Sequence, residues 1–145
     1  MPVPSLDESG NLPPGVHLAT LAEVERVFGH GSPRRDWLWK KLVEVVEVAR
    51  TSGKVKRLII WGSFVTRKEI PGDLDLFLVT DANPIQDITS GALPDLLDHE
   101  RARRRFQADI FWMKESIGAA TIQDVLDVYQ LDRNRRLRGI IEVAL

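Results

Sequence analysis

The chain has 145 residues, 43% of them hydrophobic and 28% charged, with 20 Lys+Arg against 21 Asp+Glu. That length suits one domain with a single core, and the composition excludes a disordered chain. The near-zero net charge gives no general attraction to nucleic acid or to a membrane surface, and the absence of cysteine excludes disulfides and thiolate metal sites.

In chain order, residues 1–16 carry Pro2, Pro4, Pro13 and Pro14 with Ser, Asn and Gly, and read as an extended arm preceding a single domain at 17–145. This start has neither the basic residues nor the apolar run of a signal peptide, and no later window approaches the roughly 18–20 apolar residues of a membrane span. The expectation is a cytoplasmic protein with no membrane partner. Residues 18–28 place Leu18, Leu21, Val24 and Phe28 on one helical face, closed by Gly29 and Gly31. A second helix follows, with Ser32 as its cap and Pro33 in its first turn. Leu38, Leu42, Val45, Val46 and Ala49 recur at helical spacing, and Gly53 is its stop. Trp37 and Trp39, two apart, cannot share a face of it, so one is core and the other an interface candidate.

Residues 55–62 form a short apolar run ending in glycine, and 73–79 a second after Pro71-Gly72; both read as buried strands. A loop is expected at 81–91, a helix from Pro94 to Arg105, and a third strand at 106–113. A helix at 121–130 carries the capping-box pair Thr121 and Asp124, with Ile122, Val125, Leu126 and Tyr129 on one face. The last strand is expected at 138–145. Two arginine clusters stand out: Arg101, Arg103, Arg104 and Arg105 at a helix end, and Arg133, Arg135, Arg136 and Arg138 in a turn. The bland reading of each is a solvated surface; for the first, contact with nucleic acid or an acidic partner is the functional alternative. His17, His30 and His99 lie far apart without metal-ligand spacing and read as structural. The order of elements predicts an α/β (α+β) fold, a mixed sheet of about four strands covered by helices.

Chemistry concentrates at 62–75. Alternate residues of a strand face the same way, so Asp73 and Asp75 are expected to project together while Leu74 and Leu76 face the opposite layer. Two ionised carboxylates ~5 Å apart repel by roughly 3 kcal/mol at an effective dielectric of about 20, so a cation is expected between them. A divalent metal is the leading choice, since Mg²⁺ binds through one or two carboxylates plus substrate phosphates. Asp109, in the third strand, supplies another carboxylate. Gly62-Ser63 ends the first strand in a turn whose backbone N–H groups and hydroxyl suit phosphate oxygens; the bland role for Ser63 is a helix N-cap.

Gly62-Ser63, nine intervening residues, Asp73-Leu74-Asp75, and Asp109 between apolar neighbours resemble the signature of the polymerase-β-type nucleotidyltransferase superfamily. The resemblance spans about residues 34–113 and is closest to the small, minimal nucleotidyltransferases. The opening "LPPGVH", followed by "EVERVFG" and "GSFVTRKEIPGDLDL", further resembles an uncharacterised bacterial branch. The resemblance implies a nucleotidyltransferase-like fold and two Mg²⁺ ions (Mn²⁺ as a substitute) on Asp73, Asp75 and Asp109. It implies transfer of a nucleoside monophosphate from a triphosphate, with ATP the expected donor, to a hydroxyl. Ser63 would contact the outer phosphates beside Gly62, and Arg67 and Lys68 are added as candidate triphosphate contacts by their position after it. The residues after Met113 are too few for an acceptor-binding domain, so the expected acceptor is a partner protein such as a toxin, with nucleic acid left open. The alternative is a catalytically inactive, antitoxin-like binding module of the same fold. A haloacid-dehalogenase-type phosphatase would need Thr or Val where Phe77 stands, and a restriction-type nuclease an acid-x-Lys strand that is not present.

Overall fold

A computed structural model describes residues 3–84 and 91–145 of the chain. Most of the loop expected at 81–91 lies outside the described residues. Five strands form one mixed sheet: β1 (Val16–Ala19), β2 (Val55–Trp61), β3 (Leu74–Thr80), β4 (Ala108–Lys114) and β5 (Ile140–Val143). Their spatial order is β1-β5-β2-β3-β4. β2 runs antiparallel to both β3 and β5, while β3 pairs with β4, and β1 with β5, in parallel. The α+β class is as expected; the strand count is five rather than four.

The extra strand comes from residues expected to start the first helix. Leu18 belongs to β1 and is 56% exposed, because the Thr20 hydroxyl accepts the Glu23 N–H (3.2 Å) and starts α1 (Leu21–Phe28) one turn later. The preceding arm is extended and tied down. Leu12 is buried, Asn11 bridges to Thr66, and the Gly139 N–H donates to Leu12 O at 2.9 Å.

α2 (Pro33–Ser52) follows its sequence signals. Ser32 Oγ accepts the Arg35 N–H (3.1 Å), Gly53 ends the helix in a left-handed conformation (φ 66°), and Leu38, Leu42, Val45, Val46 and Ala49 are all buried. Trp39 joins this core. Trp37 stays outside, its ring covered by Arg34 (5.3 Å) and Lys41 (5.4 Å).

Two expected helix boundaries shift. The helix foreseen from Pro94 to Arg105 is broken into α3 (Ala92–Leu97) and α4 (His99–Phe106), because Asp98 adopts extended backbone and caps the second with its carboxylate on the Arg101 N–H (2.9 Å). Phe106, expected in the third strand, ends α4. α5 (Ala119–Tyr129) begins at Gly118, so Thr121 lies inside the helix and the Thr121–Asp124 capping box does not form. The final strand is confined to Ile140–Val143.

Helices α1 to α4 bury one sheet face, taking Leu58, Ile60, Leu74, Leu76, Leu78, Ala108 and Ile110 into the main core. α5 covers part of the other face, where Ile122 and Leu126 meet Ile59, Phe77 and Val79. Asp75 alternates with Leu74 and Leu76, so it falls on the α5 side, in line with Phe77. That is the face on which the site opens.

Candidate functional site

The connection between β2 and β3 is held by the start of α2. Arg35 is 5% exposed, and its guanidinium donates to the carbonyls of Phe28 (3.0 Å), Phe64 (2.8 Å), Lys68 (2.6 Å) and Thr66. The Ser32 hydroxyl donates to Glu69 O (2.6 Å), and Arg34 to Pro71 O (3.3 Å) and Gly72 O (3.2 Å). Three residues at one helix start therefore fix the backbone of a connection that, by its glycines and charges, reads as an open loop. Buried backbone carbonyls need donors, and a planar guanidinium with five N–H groups can serve several at once. Desolvation lowers the pKa of Arg35.

Within this connection Gly62 takes φ 79° and ψ −162°, and a Cβ there would collide with the Asp75 carboxylate. Glycine is required both for the backbone angle and for the close approach. Ser63 opens a 3₁₀ turn (Ser63–Val65), so the N-cap is Gly62, and the Ser63 side chain does something else. Its Oγ accepts the Gly72 N–H (3.1 Å) and joins the two ends of the connection. The hydroxyl hydrogen remains available to an incoming acceptor. Gly62→Ala is expected to lose ~1–3 kcal/mol of stability through backbone strain and the clash with Asp75. Gly72→Ala, where a Cβ meets nothing within 4 Å, should lose none. Urea denaturation of the two variants tests the pair, and equal midpoints would refute the close-approach role of Gly62.

The carboxylates come from adjacent strands. Asp75 and Asp109 are register partners across the parallel β3–β4 pair, and Trp61 is the antiparallel partner of Asp75 on β2. Asp73 is not in the strand; it sits one residue before Leu74, where the chain enters β3. It therefore does not share the regular strand face of Asp75 that its spacing suggested. Asp73 is held by Arg34 (3.3 Å) and Arg103 (3.4 Å), and Arg103 also donates to Asp109 (2.5 Å). His99, expected to be purely structural, lies 3.5 Å from Asp109 and packs on the Phe111 ring.

Asp75 is different: among the described residues no donor is hydrogen-bonded to its side chain. Burial, then the charges of Asp109 and Asp73, push its pKa up to about 6, against the opposing pull of Arg138 and Arg103. Arg103 bridges Asp73 and Asp109, and among the described residues no three acids or histidines converge closely enough to cage a metal ion as they stand.

A cleft of about 640 Å³ opens over these acids. Gly62, Ser63 and Lys68 line it, so three of the four predicted phosphate-contact residues are brought together. The fourth is not. Arg67 turns to the N-terminal arm, its backbone N–H on Gly10 O (2.9 Å) and its guanidinium on Asp7 O (3.4 Å). The cleft is also lined by the turn at 131–138, including Arg133 and Arg138, whose composition reads as exposed surface. Of the other cluster, Arg103 enters the site while Arg101 and Arg105 pair with Asp95. The cleft wall includes Trp61, stacked on Tyr129 with ring centroids 4.3 Å apart and 14° between planes. Burial and the nearby Asp75 charge raise the Tyr129 pKa.

The class defined so far is an α+β protein whose mixed sheet presents a carboxylate cluster beside a glycine turn. The chain belongs to a family of unknown function, DUF6932, which matches residues 4–144. No curated protein and no solved structure matches it. Among the described residues no helix is long and apolar enough to cross a membrane.

Proposed function

We propose that the protein is a cytoplasmic Mg²⁺-dependent nucleotidyltransferase, of the polymerase-β-type superfamily that its motifs resemble. It would move a nucleoside monophosphate from a nucleoside triphosphate, with ATP as the expected donor, to a hydroxyl group. The observation that carries this reading is the register pairing of Asp75 with Asp109 beneath one cleft, against the Gly62-Ser63 turn.

The donor set fits magnesium, which prefers carboxylate oxygens and retains phosphate and water ligands. Asp75 is half-buried and acid-flanked, with a raised pKa, as expected of a ligand whose charge a cation would balance. Asp73, Asp75 and Asp109 would hold the ion or ions, with Mn²⁺ able to substitute. When bound, the metal supplies positive charge for the triphosphate and acidifies the attacking hydroxyl. Ser63 and Lys68 orient the phosphate chain. Asp109 accepts the proton of the acceptor hydroxyl, whose oxygen forms the new bond to the α-phosphorus as the bond to the pyrophosphate oxygen breaks. Arg103 must release Asp73 and Asp109 for this, an exchange of one cation for another. The acceptor is assigned to a partner macromolecule, a toxin-like protein being favoured by the resemblance.

A second reading is a catalytically inactive binding module, and one observation favours it: Arg34 and Arg103 already pair Asp73 and Asp109 internally. Calorimetric titration with ATP, GTP, CTP and UTP in Mg²⁺ separates the two. We expect one nucleotide to bind the native protein, and Asp73→Ala/Asp75→Ala to weaken it by at least ~30-fold, about 2 kcal/mol. No binding of any nucleotide at about millimolar concentration would leave the inactive module as the better reading.

A further inference from the structure

The turn at 131–138 is a stiff carrier of arginines. Asp132 Oδ1 accepts the backbone N–H groups of Asn134 (2.8 Å) and Arg136 (2.9 Å), and the Asp132 N–H donates to Arg136 O (2.9 Å). Leu131 and Leu137 bridge at its base, where the Arg138 N–H donates to Gln130 O (2.8 Å). Gln130 in turn is buried, and its Oε1 accepts the Gly15 N–H at 2.7 Å. Everything that shapes this turn is backbone or Asp132. Nothing in its geometry needs arginine at 133 or 138, yet both line the cleft over the acids.

The arginines around the cleft divide into two groups. Arg34 and Arg103 are paired with Asp73 and Asp109, and Arg35 is taken up by carbonyls. Among the described residues, the guanidinium groups of Arg133 and Arg138 have neither hydrogen bond nor ion pair. Arg138 is half-buried and acts on Asp75 through space. The cleft thus sets unpaired arginines beside three carboxylates. A bare anion would be repelled by the acids, and a bare cation by the arginines. A divalent cation carrying a polyphosphate satisfies both sides, and the guanidinium fork matches phosphate oxygens in pairs. The cleft volume of about 640 Å³ is in the range of small-molecule sites.

We propose that Arg133 and Arg138 form a polyphosphate grip, holding the outer phosphates of a metal-bound nucleoside triphosphate together with Ser63 and Lys68. This rests on the nucleotide reading above and names two binding residues that neither the motif nor the family match assigns.

The test is calorimetric titration of the whole chain in Mg²⁺ with inorganic tripolyphosphate and, separately, the four nucleoside triphosphates. Arg133→Gln, Arg138→Gln and their double variant are compared with Arg135→Gln, a control on the same turn that does not line the cleft, and with Arg138→Lys. Melting curves check that each variant is folded. We expect each single Gln variant to weaken tripolyphosphate by ~5–20-fold and the double by at least ~30-fold, with the control within about 2-fold and Arg138→Lys intermediate. Equal affinity of the native and double-variant proteins overturns the grip and leaves the nucleotide reading intact. Arginine-dependent binding of tripolyphosphate without binding of any nucleotide supports the grip and overturns the nucleotide reading. Binding of neither ligand by the native protein overturns both.

Discussion

Asp75→Asn is expected to make the metal-free protein more stable at pH 7.5 and, on the nucleotidyltransferase reading proposed above, to abolish metal–triphosphate binding. The folded state holds the Asp75 proton with a pKa of about 6, above the ordinary 3.8. A carboxyl that binds its proton more tightly when folded costs nothing below about pH 3.8. Its penalty grows as pH rises through the window and is complete above about 6. The full shift would correspond to ~3 kcal/mol, and screening by solvent in an open cleft reduces this to about 1–2 kcal/mol. The Asn variant should therefore melt ~3–6 °C higher than the native protein in EDTA at pH 7.5, and together with it at pH 4. Added Mg²⁺ should raise the native midpoint and leave that of the variant unchanged. A variant that melts lower at pH 7.5 would show that Asp75 contributes to the fold rather than burdening it.

Arg35→Met should have the opposite sign and a larger size. It removes the shared donor of four carbonyls in the 62–68 connection and its surroundings, and each buried acceptor left without a partner is costly. A loss of ~3–5 kcal/mol is expected, a fall in Tm of about 8–15 °C for a chain of this size. Arg35→Lys should recover less than half, because one ammonium cannot span the carbonyls that the planar fork reaches. Thermal melts of the three proteins measure this, and a Met variant within about 3 °C of native would refute the clamp.

Arg35 also illustrates what could be read from the sequence and what could not. Ser32, Pro33, the apolar spacing through Ala49, and Gly53 define α2 locally, so its limits were legible. That the arginine of "SPRRD" turns inward is decided by carbonyls about thirty residues away in sequence, and first-turn arginines ordinarily face solvent. β1 failed for a related reason. Leu18 fits helical spacing with Leu21, and only the distant partner Ile140–Val143 makes Val16–Ala19 a strand. The capping box at Thr121 was a correct local pattern overruled by a helix that starts at Gly118.

The acids were visible because Asp-x-Asp interrupts an apolar run, but spacing gave Asp73 and Asp75 equal weight. The structure separates them: one is paired with arginines at the strand entrance, the other lies within β3 in register with Trp61 and Asp109 and has no arginine hydrogen-bonded to it among the described residues. Arg133 and Arg138 carried no local signal beyond charge, since only the return of the chain into β5 brings them over the acids.

That return has a consequence for how the molecule assembles. β5 is the latest of the described strands in the chain, yet it is inserted between β1 and β2. During synthesis, β2, β3 and β4 can pair as soon as they emerge, bringing Asp75 and Asp109 together, while β1 waits for a partner across most of the chain. Until residues 140–143 arrive, β1 is an unpaired ribbon and β2 an open edge, while Arg34 and Arg103 can already pair with Asp73 and Asp109. A ribosome stalled before Ile140 would therefore display two unprotected strand edges, the state most open to aggregation or to capture by a chaperone. Completion of the sheet and arrival of the second set of cations are then one event.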